Sequence, residues 1–182
     1  TDQKGETREG EQTLSVGDKS LFVLTDLVDR SVLNKTKSRP IKVYVETLNG
    51  IRRQAEVNYE LCLLDDPEVF IDAQENSERY LLLEPQRKPG KLIRSGRLHT
   101  KDSPLVLDFS TIPSGVYQLV CTTTDDRGQT VTNFNEFTVF APDDKQTPVK
   151  AYVWMHASDT EFATDDPAVI HIGTAARDVY ML

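Results

Sequence analysis

The sequence is short of the residues on which several classes of protein depend. Its two cysteines, Cys62 and Cys121, are too few for a disulfide-dense scaffold or a four-cysteine metal site. No apolar run is longer than the five residues Ala151 to Met155, against the roughly 20 that a helix needs to cross a bilayer, so a helical membrane span is excluded. Positive charge is also scarce. Lys and Arg number 21 against 29 Asp and Glu, a net charge of −8, which disfavours a nucleic-acid partner because nothing is in excess to neutralise phosphates. Helical periodicity is missing, since no window of a dozen residues keeps an apolar stripe at three and four spacing. No Gly-x-Ser-x-Gly, Cys-His pairing or phosphate-cradling glycine loop occurs, and no residue is nominated as catalytic or cofactor-binding.

What the chain does have is short β-rich runs bounded by turn residues. Leu21–Leu27, Ile41–Leu48, Ala55–Leu64, Leu105–Phe109, Val116–Thr124, Val131–Phe140, Val149–His156 and Ala168–Ile172 read as strands. Asn49-Gly50 between two of them signals a hairpin, and Gly115 leads directly into a strand that begins with Val116 and Tyr117. These patterns predict an all-β fold with sequential antiparallel pairing, an immunoglobulin/fibronectin III-like β-sandwich of seven or more strands. Within it, Tyr117 reads as a corner tyrosine whose hydroxyl bonds back across the Pro113-Ser114-Gly115 turn.

A repeat divides the chain. Thr1-Asp2-Gln3-Lys4-Gly5-Glu6-Thr7 recurs as Thr124-Asp125-Asp126-Arg127-Gly128-Gln129-Thr130, a domain length further on. Each copy suits a hairpin turn in which the Asp side chain (Asp125 in the second) bonds nearby backbone and the Gly (Gly128) takes a positive φ. The expected organisation is therefore the tail of one domain or a linker at 1–13 and a complete sandwich over 14–142. The polar connector 143–148, within Ala141 to Pro148, follows, and 149–182 supplies the first strands of a truncated further domain. Thr1, with neither Met nor a basic-then-apolar leader before it, reads as a cut within a longer chain, and Val179 to Leu182 as an unpaired apolar strand.

Candidate chemistry is sparse. Parity along the strands turns Cys121 inward and Cys62 outward, which favours two free thiols over a disulfide. The pairs Asp65-Asp66, Asp125-Asp126, Asp143-Asp144 and Asp165-Asp166 lack calcium-loop spacing and read as turn residues. His156 and His171 fall on consecutive predicted strands but read as separate residues, because no third metal ligand is suitably spaced; no metal is expected. Between Arg79 and Lys101 the acidic chain turns basic, with Arg87, Lys88, Lys91, Arg94 and Arg97 as candidate contacts for an acidic partner. Pro85, Pro89 and Gly90 favour a solvated loop or edge strand there.

Together, Leu48-Asn49-Gly50, the strand Val57–Leu61, Pro113–Tyr117, the Thr-Asp-x-x-Gly turn and the closing Phe137–Phe140 resemble macroglobulin-type (MG) domains of bacterial alpha-2-macroglobulin-like proteins. Pro167–Ala175 is similar to the opening strand of a following MG domain, though it lacks the expected Pro-Gly. The resemblance implies a non-enzymatic scaffold domain in a secreted, periplasmic or outer-envelope endopeptidase trap, in some members lipid-anchored through the parent protein. Its partners would be neighbouring MG domains and, through the whole protein, target proteases. The family's thioester motif, Cys-x-Glu-Gln, is missing: Cys62 precedes Leu-Leu-Asp and Cys121 precedes Thr-Thr-Thr. The rival expectation is a cell-surface adhesion or ligand-binding module using segment 79–101, for which Trp154 is the only Trp and reads as core.

Overall fold

The computed structural model describes residues 17–36, 39–68, 70, 87–102, 104–157, 164–165 and 167–180. The first copy of the repeated turn, residues 79–86 of the basic segment and Asp166 lie outside the described residues. Three sheets form. Strands β1 (Leu21–Thr25), β3 (Val43–Thr47) and β4 (Arg52–Arg53) make an antiparallel sheet in the order β1-β3-β4. A five-stranded sheet contains β2 (Ser31–Asn34), β5 (Glu56–Leu64), β6 (Pro89–His99), β7 (Gly115–Thr124) and β8 (Thr130–Phe140), in the order β2-β8-β7-β5-β6. The last two, β9 (Trp154–Ala157) and β10 (Ile170–Gly173), pair with each other. Among the described residues the only helical element is one 3₁₀ turn, Thr100–Asp102.

Period-two alternation explains how the first two sheets meet. Leu21 and Val23 of β1 and Val43 and Val45 of β3 share one buried cluster with Val57 and Leu61 of β5, Tyr117, Leu119 and Cys121 of β7, and Val131, Phe137 and Val139 of β8. Phe109 meets Phe137 edge to face at 5.8 Å, and Tyr117 stacks on Phe137 at 6.0 Å. Each large side chain so buried stabilises by about 1.5–3 kcal/mol relative to leaving it in water. One polar tie crosses the same space: Thr25 Oγ1 donates to Asn135 Oδ1 at 2.7 Å.

Three features depart from the sequence-based expectation. Pairing is not all antiparallel, because β2 runs parallel to β8. After β1 the chain crosses from one sheet to the other through Arg30, at φ 60°, whose N–H donates to the Glu136 carbonyl at 2.6 Å. Secondly, the Asn49-Gly50 turn closes β3 onto the two-residue β4, not onto 55–64; Gly50 sits at φ 74° and Thr47 N donates to the Ile51 carbonyl at 2.9 Å. The chain then turns at Ala55, held by Thr100 on both its N–H and its carbonyl, so that Val57 and Leu61 enter the other sheet. Thirdly, Leu105–Phe109 alternates as a strand would, with Leu105, Leu107 and Phe109 buried, but among the described residues it makes only a single bridge, Leu105 to Ile41. Within the described part of the basic segment, Pro89–His99 forms an 11-residue strand at the edge of its sheet, one of the two forms expected there. Pro89 is tolerated because it opens an edge strand, where its missing N–H costs no ladder bond. At the chain's end Val179 and Tyr180 belong to no strand.

Truncation of Leu119, fully buried in β7, to Ala should lower the unfolding free energy by about 2–5 kcal/mol. Phe134→Ala, on the outer face and 60% exposed, should change it by less than about 1 kcal/mol. Urea denaturation of both variants checks the sidedness of the core.

Candidate functional site

Two turns anchor the body. Asp125, itself buried, starts the β7–β8 turn: its Oδ1 accepts from Arg127 N at 2.9 Å and Gln129 N at 2.8 Å, and its Oδ2 accepts from Ser20 N at 3.1 Å. Gly128 follows at φ 77°. Backbone bonds from Ser20 and Gln129, with those from Arg127 and the Ser20 hydroxyl, hold the Asp125 carboxyl down at about 2. The one side chain thus serves both its own hairpin and the lead-in to β1. At the other turn, Tyr117 is fully buried and its hydroxyl donates to the Pro113 carbonyl at 2.6 Å. Burial pushes that hydroxyl up to about 12, so it stays a donor at any physiological pH. A Cβ at Gly115 would come within 2.7 Å of Leu63 Cδ1, so a larger residue there would have to push that side-chain end aside.

The five candidate cations of the basic segment do not converge. Arg87, with a side chain only 11% exposed, pairs with Asp66 at 3.4 Å. Lys88 gives its carbonyl to Asp65 N, and its side chain is exposed, as is that of Lys91. Arg97 pairs with Glu56 at 3.3 Å and donates to Asn58 at 3.2 Å, while Arg94 lies by Asp108, Leu107 and Ile112. Exposed pairs of this kind contribute little, about 0–1 kcal/mol each. What the segment offers is a long, exposed edge strand.

The most distinctive contact lies at the end of β8. Phe140 shares the parity of Phe134, Glu136 and Thr138, which is the outer face, yet it is only 3% exposed. The β9–β10 pair covers it: Trp154, His156 and His171 meet its ring at centroid distances of 5.3, 5.0 and 5.2 Å. Trp154 is therefore half-buried against Phe140 and is not part of an apolar core; its neighbours Tyr152, Val153 and Met155 are exposed. Nor is the connector a loose polar tether. Asp144 accepts from Ala141 N at 2.9 Å, from Lys35 Nζ at 3.2 Å and from the Ser114 hydroxyl. Burial alone would raise this carboxyl, but the bonds from Ser114, Ala141 and Lys35 together hold it below the usual carboxylate range. A little further on, Lys150 Nζ caps the carbonyls of Pro67 and Glu68 at 3.2 and 2.8 Å, and Tyr152 stacks on Phe70 at 4.8 Å. Between connector and β10 opens a cleft of about 450 Å³ lined by Phe140, Asp144, Thr147, Trp154 and His171.

The remaining chemistry is quiet. Cys62 and Cys121 are free; burial pushes the Cys121 thiol up to about 12, and burial with the Glu60 carboxylate second raises Cys62, so neither supplies a thiolate near neutral pH. Among the described residues no helix is long and apolar enough to cross a membrane, and no three His, Cys, Asp or Glu side chains gather as metal ligands. Comparison of the chain with protein-family models, with curated proteins and with solved structures finds no match. The aromatic cover on Phe140 and the Asp144 clamp carried no sequence motif; the outward parity of an aromatic at the end of a strand was the available signal.

Asp125 sets an acid limit. Its carboxyl lies at about 2 in the folded state against about 3.9 unfolded, so its stabilising contribution is complete above about pH 4 and is lost as pH falls through about 2. Asp125→Asn should lower the melting temperature at pH 7 and flatten its decline between pH 4 and pH 2, as thermal melts across that range would record.

Proposed function

We propose that the chain is a scaffold segment of a large alpha-2-macroglobulin-like, protease-trapping protein of the cell envelope or its exterior. In this reading the eight strands β1–β8 are an MG-type, immunoglobulin-like sandwich, and β9–β10 open the next domain. The observation that carries it is Phe140: an outer-face aromatic at the last position of the last sandwich strand is buried by the strand pair that follows. A bead that transmits position to its neighbour needs such a joint, in which aromatic packing fixes the angle and the Asp144 clamp takes slack out of the connector. The edge-to-edge order of the larger sheet and the Tyr117 back-bond at the start of the penultimate sandwich strand support the immunoglobulin-like part. The same reading makes the segment non-catalytic, with neighbouring domains as its direct partners and proteases as partners of the whole protein only.

A second reading, a surface ligand-binding module, draws on Trp154 standing at the wall of a cleft beside His171. The two part on simple assays. A scaffold segment on its own should neither slow nor accelerate casein cleavage by a panel of endopeptidases, and should retain no ligand on a glycan array. Stoichiometric inhibition by the isolated chain would count against the scaffold.

The joint itself is testable. Asp144→Ala should leave the melting of the β1–β8 core nearly unchanged while making the 141–148 connector at least several-fold more susceptible to limited proteolysis. Equal cleavage rates in the two proteins would show that the clamp does not stiffen the joint.

A further inference from the structure

Strands β9 and β10 pair so that His171 stands directly opposite His156. Directly opposed residues of an antiparallel pair share a face and hold their Cβ atoms about 4.5–5.5 Å apart. That face is the one turned to Phe140, whose ring lies 5.0 Å from one imidazole and 5.2 Å from the other, at interplanar angles of 72° and 61°. Packing against a buried ring narrows the rotamer choice of both histidines, so part of the ordering cost of bringing two ligands together is already met. Among the described residues neither imidazole takes part in a hydrogen bond, which leaves their ring nitrogens uncommitted. Both residues are only half-buried, so solvent reaches the pair.

We propose that His156 and His171 form a two-histidine chelate for a borderline divalent transition-metal ion such as copper(II), nickel(II) or zinc(II). Imidazole nitrogens suit these ions, and metal–nitrogen bonds of about 2.0–2.1 Å can be made by two rings on opposed strand positions. No third carboxylate, thiol or imidazole joins the pair among the described residues, so water fills the remaining positions and the site stays open to exchange. The ion would cross-link β9 to β10 and favour the ordered strand pair over its separated form by mass action. Protons compete for the same lone pairs, so binding weakens as pH falls through the imidazole range.

The test is titration of the whole chain with zinc(II) and nickel(II) by calorimetry at pH 7.5, and with copper(II) by electron paramagnetic resonance. The expected result is one ion per chain, with two imidazole nitrogens in the copper spectrum. His156→Asn and His171→Asn should each weaken zinc and nickel binding at least tenfold, whereas His99→Asn, on β6, should leave it unchanged. Near-ultraviolet circular dichroism in EDTA identifies any variant that has lost its fold. His171→Gln then provides a second variant in which the strand and its packing on Phe140 are less disturbed. Affinity unchanged in both the His156 and His171 variants, equal loss in the His99 variant, or a copper spectrum without two imidazole nitrogens would overturn the assignment.

Discussion

Everything in this molecule rests on the two-sidedness of β8. Its odd positions, Val131, Asn135, Phe137 and Val139, face the core shared by the two larger sheets, and its even positions face outward. A strand with one wet face normally carries polar residues there, and Thr132, Glu136 and Thr138 conform. Phe140 does not. Burial of Phe140 requires a second element on the outer side of the sheet, so the same strand that closes one hydrophobic core also founds the next contact in the chain. A one-residue slip in the β7–β8 register would exchange the two faces and undo both at once. The Asp125 turn guards against that slip by fixing the hairpin at its closed end, and the Tyr117 hydroxyl ties down the opposite end of β7.

The connection after β8 shows how a polar segment becomes stiff without secondary structure. Asp144 gathers an N–H from its own loop, an ammonium from beside β2 and a hydroxyl from the turn before β7. Two of these donors, Lys35 and Ser114, come from parts of the chain distant in sequence, so moving the connector means breaking several charge-assisted bonds together. Lys150 adds a second point of attachment on the carbonyls of Pro67 and Glu68. Such a joint is what the proposed scaffold role would need, since that role asks for a fixed angle and not a swinging tether.

The local features of the fold were legible in the sequence, and the non-local ones were not. Alternation located β1, β3, β5, β7 and β8 to within a few residues, because apolar periodicity records which face each residue presents. The Asp125 and Tyr117 turns could also be read, since their bonds span only a few residues. Which strands pair was hidden: nothing local in Ser31–Asn34 announces a parallel partner in β8, and Asn49-Gly50 signals a reversal without saying how long the returning strand will be. In the basic segment Pro89 and Gly90 leave both a loop and an edge strand open, and Pro89–His99 takes the edge position, which tolerates a proline where a central strand does not. At the candidate site, the pairing of His156 with His171 depended on the β9–β10 register, and the Asp144 clamp on contacts across more than a hundred residues in the case of Lys35.

The basic segment illustrates how a cluster in sequence can disperse in space. Alternation along an edge strand sends neighbouring side chains to opposite faces, and a register shift after Leu61 rotates the pattern again. Arg97 thus lies over Glu56 and Asn58, Arg94 near Asp108, and Arg87 is drawn back to Asp66 before the strand begins. Three of the five cations therefore have carboxylates of their own chain beside them, and any outside acidic group must first compete with those. Charges and a proline on an exposed edge also discourage the open backbone groups of β6 from pairing with another chain. The protective role needs only that the charges be present along the edge, whereas docking would need them to converge, and the geometry meets the first condition and not the second.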